Sequence, residues 1–185
     1  MNRVDSLFKA CIYGDVKLLK RSLKDGGNVN KQFRKWPPLR WAIQEGHLNI
    51  IKVLVDHGAN IKKRYSDGCT PLEQAVCEEH TSVIKYLINC GVDVNQKSSN
   101  NGTALHMACA YGQLEMAKLL IKNGADPKRR DNDGWTPRSF AGYYRRKALL
   151  KLLDERVANK NTPQQKLLVI GLFCLLLMAR PTTYS

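Results

Sequence analysis

Acidic residues are scarce in this chain: 16 Asp and Glu stand against 30 Lys and Arg, which leaves a formal charge of +14 over 185 residues. That imbalance bears on partners and solubility rather than on fold, and it makes acidic surfaces the natural partners. Paired cysteines are missing as well. Cys11, Cys69, Cys77, Cys90, Cys109 and Cys174 lie at wide spacings with no CxxC among them, and no apolar signal segment precedes the first. The expectation is free thiols in a reducing, intracellular compartment, cytoplasmic first, with nuclear or membrane association left open. Long apolar runs are absent except for Leu167–Ala179, thirteen residues between Lys166 and Arg180. As a helix it would reach about 20 Å, short of the roughly 30 Å hydrocarbon core of a bilayer. It is apolar on every side, whereas a helix lying in the membrane interface needs a polar face. The favoured reading is a helix packed on the preceding domain; a short tail anchor with basic flanks and an unstructured end are the alternatives. Catalytic clusters are lacking too: none of the four histidines has a nucleophile or carboxylate in recurring partnership, so the reading is non-enzymatic, with no cofactor and no metal.

What is present is a composition with 43% apolar and 25% charged residues, that of a soluble globular domain. Within it runs a fixed period. Leu7, Leu39, Leu72 and Leu105 are spaced by 32, 33 and 33 residues, and one further period reaches Arg138. Three residues after each comes an alanine (Ala10, Ala42, Ala75, Ala108, Ala141), and nineteen after each leucine a glycine (Gly26, Gly58, Gly91, Gly124). A period of this length marks an array of supersecondary units. Each unit reads as a turn, a short apolar helix and a second helix such as "LNIIKVLVDHG", with apolar residues at i, i+3 and i+4 and a terminal glycine suited to a left-handed cap.

The segments "DGCTPLEQA", "NGTALHMACAYG", "DGWTPRSFA", "EGHLNIIKVLVDHGAN" and "LLIKNGADP" resemble the ankyrin-repeat family over about residues 2–156. The resemblance implies an all-α solenoid of stacked helix-loop-helix units with short β-hairpin tips. The units are 1–33, 34–66, 67–99, 100–132 and 133–156, followed by a tail over 157–185. Thr70, Thr103 and Thr136 are placed to cap helices, with Pro71 and Pro137 in the first helical turn. The His106 and Cys109 pair in "HMAC" looks at first like half of a metal site. The resemblance makes His106 the histidine that bonds to backbone and ties hairpin loops together, and Cys109 a small core residue. His47 falls in the family's G-H slot, and His57 and His80 at helix ends.

Departures from the pattern are informative. Unit one has no recognisable hairpin before Leu7, and unit five carries Arg138 at the leucine position, so both read as caps, which solenoids need where one side faces water. Glu79 stands where residues 14, 46 and 112 are glycine, which predicts a left-handed residue at a cost of about 1 kcal/mol. Residues 67–99 hold five acidic and two basic residues, whereas every other unit is net basic. The runs at 62–64, 128–130 and 145–147 could grip phosphate or acidic peptide, but solvated faces are the commoner use, and nucleic acid is a disfavoured partner.

The resemblance further implies a concave partner-binding face at positions six, five and three before the framework leucine and five and six after it. Those positions are Ile12 and Tyr13 in unit one, and Phe33, Arg34, Trp36, Gln44 and Glu45 in unit two. Unit three supplies Ser66, Asp67, Cys69, Cys77 and Glu78; unit four supplies Ser99, Asn100, Gly102, Ala110 and Tyr111. Unit five supplies Asn132, Asp133, Trp135, Tyr143 and Tyr144. Trp, Tyr and Arg most often anchor interfaces, so Arg34, Trp36, Tyr111 and Trp135 are the expected anchors. The competing expectation is that the tyrosines pack on neighbouring helices and that Phe33 and Trp36 brace an irregular hairpin. The function expected is a monomeric interaction module or adaptor for a protein partner. A membrane-tethered adaptor using 167–179 and a regulatory subunit of an enzyme are the rival classes.

Overall fold

The computed structural model describes residues 3–159, and the tail segment 167–179 lies outside them. Among the described residues ten helices run in five antiparallel pairs: α1 (Arg3–Tyr13) with α2 (Val16–Lys24), α3 (Pro38–Gln44) with α4 (Leu48–Asp56), α5 (Pro71–Cys77) with α6 (Thr81–Asn89), α7 (Ala104–Tyr111) with α8 (Leu114–Lys122), and α9 (Pro137–Tyr143) with α10 (Lys147–Asn159). Among the described residues the only strand-like pairing is an isolated bridge between Phe33 and Trp36. The array is the all-α solenoid that the phase predicts.

Capping sets where the first helices begin. Thr70 Oγ1 accepts from the Glu73 amide at 3.1 Å while Glu73 Oε2 accepts from the Thr70 amide at 2.9 Å, a reciprocal box at the start of α5. Thr136 and Ser139 repeat the arrangement at α9, and Pro38, Pro71 and Pro137 occupy first-turn positions where a missing N–H is harmless. The four framework leucines are at most 3% exposed and the five in-phase alanines are fully buried. With only a methyl group at the contact, α1, α3, α5, α7 and α9 form a tight inner column, while α2, α4, α6, α8 and α10 stand outside it. Arg138, the fifth framework position, is exposed and pairs with Asp154 at 2.6 Å, so a polar contact closes the end of the array.

Inside each pair the chain reverses through a left-handed residue: Gly14, Gly46, Glu79, Gly112 and Arg145, with φ between 54° and 80°. Glu79 is left-handed at φ 58°, as expected from its phase. The residue one place past the Gly46 position in the next unit explains why glycine holds most of these places. A Cβ on Gly46 would lie 2.6–2.8 Å from the His80 ring, whose Nε2 bonds to the Gln44 carbonyl at 2.9 Å. Against Glu79 the following unit sets Gln113 instead of histidine; it donates to the Val76 carbonyl at 2.8 Å and to Glu79 Oε1 at 3.2 Å. The histidine and the glycine have been replaced together.

A matched pair of substitutions separates backbone strain from this contact. Gly26 is also left-handed, at φ 86°, but a Cβ there meets nothing. Gly26→Ala is therefore expected to lose about 1–2 kcal/mol of stability, from backbone strain alone. Gly46→Ala is expected to lose a further ~1–3 kcal/mol through crowding of His80. Urea unfolding of both variants checks this; equal losses would mean that the ring contact contributes nothing.

Candidate interaction surface

The last two residues of each inner helix, or the helix end and the residue after it, point away from the core. Four large apolar side chains are strongly exposed among the described residues: Tyr13 (76%), Tyr111 (56%), Tyr143 (68%) and Tyr144 (47%). All four occupy these helix-end positions, which chance placement over ten helices would not produce. Glu45 and Glu78 are exposed in the same row between Tyr13 and Tyr111, and Gln44 is half-buried beside them. Tyr143 and Tyr144 meet edge-on at 5.0 Å, and Trp135 lies 5.3 Å from Tyr143. The neighbouring Cys77, followed by burial, pushes the Tyr111 hydroxyl above the ordinary phenol range, so it stays a neutral donor.

The remaining expected anchors are partly built into the fold. Phe33 and Trp36 exchange backbone hydrogen bonds at 2.8 and 3.0 Å across a two-residue turn in which Arg34 (φ 50°) and Lys35 (φ 72°) are both left-handed. Such turns prefer Asn-Gly, and here flanking rings hold it: Phe33 stacks on Phe8 at 4.8 Å and Trp36 on Trp41 at 4.8 Å. Phe33 and Trp36 are thus half-buried braces of this hairpin, while Arg34 at its tip is exposed and lies over the Phe33 ring at 5.5 Å. Trp135 is half-buried, edge-on to Phe140 at 5.3 Å. The structure therefore brings Tyr111, Trp135, Tyr143 and Tyr144 together at one end and leaves Tyr13 at the other.

His106 is fully buried. Its Nδ1 accepts from the Thr103 amide at 3.1 Å, which leaves Nε2–H to donate to the carbonyls of Arg129 and Trp135, both at 3.2 Å. Both nitrogens are spent on backbone, so the ring ties the hairpin of unit five to α7 and has no lone pair for a metal. Burial pushes Cys11 and Cys109 up to about 12, as it does Cys69 with help from Glu73, which leaves these thiols protonated and unreactive. Cys11, Cys69, Cys77, Cys90 and Cys109 are unpaired, and Cys174 lies outside the described residues.

The slot that His106 fills holds Arg40 in unit two and Glu73 in unit three, and both are buried. Arg40 lies between the Trp36 ring (4.0 Å) and the Tyr65 ring (4.8 Å) and pairs with Asp67 on the next hairpin at 2.6 Å. Three unlike side chains at one place in the repeat perform the same task, reaching for the loop of the following unit or capping their own helix. The slot was visible in the phase; the charge on Arg40 and Glu73 concealed it.

Two family profiles match: one described as ankyrin repeats in three copies over residues 7–98, the other as ankyrin repeats in many copies over residues 87–141. The chain belongs to the ankyrin-repeat family, whose repeats are generally protein–protein interaction modules and typically non-enzymatic. It is similar to the 2-5A-dependent ribonuclease of Mus musculus, 37% identical over 68 residues, which are 36% of this chain and 9% of that protein. It is also similar to acyl-CoA-binding domain-containing protein 2 of Arabidopsis thaliana, 41% identical over 59 residues (31% of this chain, 17% of the relative). A third relative is the ankyrin repeat, SAM and basic leucine zipper domain-containing protein 1 of Rhinolophus ferrumequinum, 40% identical over 53 residues (28% and 11%). The matched stretches span less than a fifth of each relative.

Proposed function

We propose that the chain is a non-enzymatic adaptor that seats a protein partner on the concave side of the array, against the ends of the inner helices. The observation that carries this reading is the placement of Tyr13, Tyr111, Tyr143 and Tyr144, the strongly exposed large rings among the described residues, in one row. A tyrosine offers a broad apolar face and a polar tip, and its burial by a partner recovers the free energy that exposure forgoes. Trp135, Tyr143 and Tyr144 form the centre of the proposed contact, with Tyr111 beside them; Arg34 and Tyr13 lie towards the other end, and Gln44, Glu45 and Glu78 in between. The charge of +14 favours an acidic partner. A cytoplasmic, monomeric protein fits this use. Among the described residues no helix is long and apolar enough to cross a membrane.

The test is affinity capture with the full chain, followed by binding measurements on single alanine variants. Tyr111→Ala and Tyr143→Ala are each expected to lose about 1–4 kcal/mol of binding with the melting temperature nearly unmoved, because both rings are exposed. Trp36→Ala and Trp135→Ala are expected to lose stability as well, since each ring is also packed internally. The association rate is expected to fall between low and physiological salt as the Debye length shrinks to about 8 Å. Wild-type affinity in both tyrosine variants would move the binding surface elsewhere.

A further inference from the structure

A cavity of about 280 Å³ lies between the loop that leads into unit two and the loop that leads into unit three. Sites for drug-sized ligands begin at about 300 Å³, and this one falls just short of that, which restricts it to a compact ligand. Asn60, Lys63, Arg64 and Tyr65 supply polar wall and Pro37 and Leu39 apolar wall, and no carboxylate lines it. Lys63 and Arg64 belong to the basic run 62–64, which the tyrosine row leaves without a role.

Tyr65 departs from the repeat. The same slot holds Ser98 at the end of unit three and Asp131 at the end of unit four, and each closes the hairpin that follows it: Ser98 Oγ donates to the Gly102 carbonyl at 3.2 Å, and Asp131 Oδ1 accepts from the Trp135 amide at 2.8 Å. Tyr65 does neither. It is 7% exposed, and its buried hydroxyl has no hydrogen-bond partner. A buried donor left unpaired carries its full desolvation penalty, which a ligand acceptor would relieve. Burial also pushes this hydroxyl far above the ordinary phenol range, so it remains an O–H donor.

Its neighbours are donors as well. Arg64 Nη1 donates to the Ser98 carbonyl at 3.2 Å, which fixes one arm of the guanidinium and leaves further N–H groups. Asn60 uses its Oδ1 on the amides of Lys62 and Lys63, both at 3.0 Å, and what remains of that side chain is its NH₂. The wall thus combines two positive charges, a neutral O–H and the side-chain amides of Asn30, Gln32 and Asn60 with a small apolar surface and no negative charge.

We infer that this cavity binds a small oxyanion, a carboxylate or phosphate carried on a compact apolar body, with Lys63 and Arg64 pairing with the charge and Tyr65 and Asn60 donating to its oxygens. Bidentate guanidinium recognition suits either oxyanion, and the site is separate from the tyrosine row.

Amide NMR spectra of the full chain, titrated in parallel with phenyl phosphate, benzoate and neutral benzyl alcohol, test the assignment. The expected result is saturable shifts at residues 30–39 and 60–65 with at least one of the two anions, the tighter one naming the oxyanion class. Arg64→Ala and Lys63→Ala, both at exposed residues, are expected to weaken that anion at least fivefold. Tyr65→Phe keeps the ring and removes the unpaired hydroxyl; it is expected to weaken the anion severalfold without lowering the melting temperature. Three titration results on the parent would each overturn the proposal: no saturation by either anion, equal binding of benzyl alcohol, or shifts shared evenly with the basic runs 128–130 and 145–147. Unchanged affinity in both Lys63→Ala and Arg64→Ala would do so even if Tyr65→Phe failed to fold.

Discussion

Arg40→Ala is expected to lower the stability of the array by about 3 kcal/mol. The guanidinium is nearly enclosed, with Trp36 at 4.0 Å on one side and Tyr65 at 4.8 Å on the other, and Asp67 at 2.6 Å. Desolvated contacts of this kind contribute about 2 kcal/mol where the cation is buried, and the arginine stem adds packing that alanine cannot replace. Breaking a buried ion pair costs about 3–5 kcal/mol when the abandoned charge stays buried. Asp67 is 46% exposed and regains water, so the expected loss lies at the lower end of that range. Arg40→Lys keeps the charge but not the planar stack, and is expected to recover less than half of the loss.

The same pair has a signature in acid. Burial alone would raise the Asp67 carboxyl, but the hydrogen bond and charge of Arg40 hold it below the usual carboxylate range. A carboxylate depressed in the folded state contributes stability that is present above its unfolded pKa of about 3.9 and is lost as pH falls through the folded value. Unfolding the parent and Arg40→Ala in urea at pH 6 and pH 3.5 should therefore show the smaller pH dependence in the variant. A loss under 1 kcal/mol at pH 6 would show that the rings and Asp67 hold the hairpin without the arginine.

The period of the array was legible because it depends on positions where only one kind of residue fits. The framework leucines and the in-phase alanines are buried where the phase put them, and the left-handed turn at Glu79 followed from the glycines in phase with it. Arg138 was equally legible as a cap, although its partner Asp154 was not, because pairing across the end of a unit depends on how α9 meets α10. Arg40 and Glu73 were illegible for a different reason. In a sequence a charge reads as solvent-facing, and what buries these two is the hairpin of the next unit, closing over them only once the units stack. Phe33 and Trp36 lie between the two cases: their phase points to an open face, their irregular hairpin to bracing, and the structure shows the bracing, with Phe8, Trp41 and Arg40 filling the space beside them. The exposed tyrosines kept their positions because a helix end at the edge of a one-dimensional stack has no neighbour to cover it.

His106→Ala is expected to remove about 3–4 kcal/mol. The ring is fully buried, and alanine leaves a cavity beside Phe140, whose ring meets the imidazole edge-on at 5.8 Å. The substitution also orphans the Thr103 amide at the start of α7 and the carbonyls of Arg129 and Trp135 at the base of the last hairpin. Each buried backbone group left unpaired costs about 1–3 kcal/mol, with relaxation of the loop recovering part of it. The loss should depend on pH in a definite direction. Burial lowers the His106 pKa, against the opposing pull of the Trp135 carbonyl, Asp131 and the Arg129 carbonyl, and a proton on Nδ1 would face the Thr103 N–H. The unfolded chain, with a histidine pKa of about 6.5, then binds the proton more readily than the folded one. Stability from this residue is complete above about pH 6.5 and declines as pH falls through that value towards the folded pKa. Urea unfolding at pH 8 and pH 5.5 should show a larger drop in the parent than in His106→Ala, and the gap between the two proteins should narrow at pH 5.5. A gap that widens there would mean that the folded ring accepts the proton, and that the tautomer and the hairpin tie described for His106 are wrong.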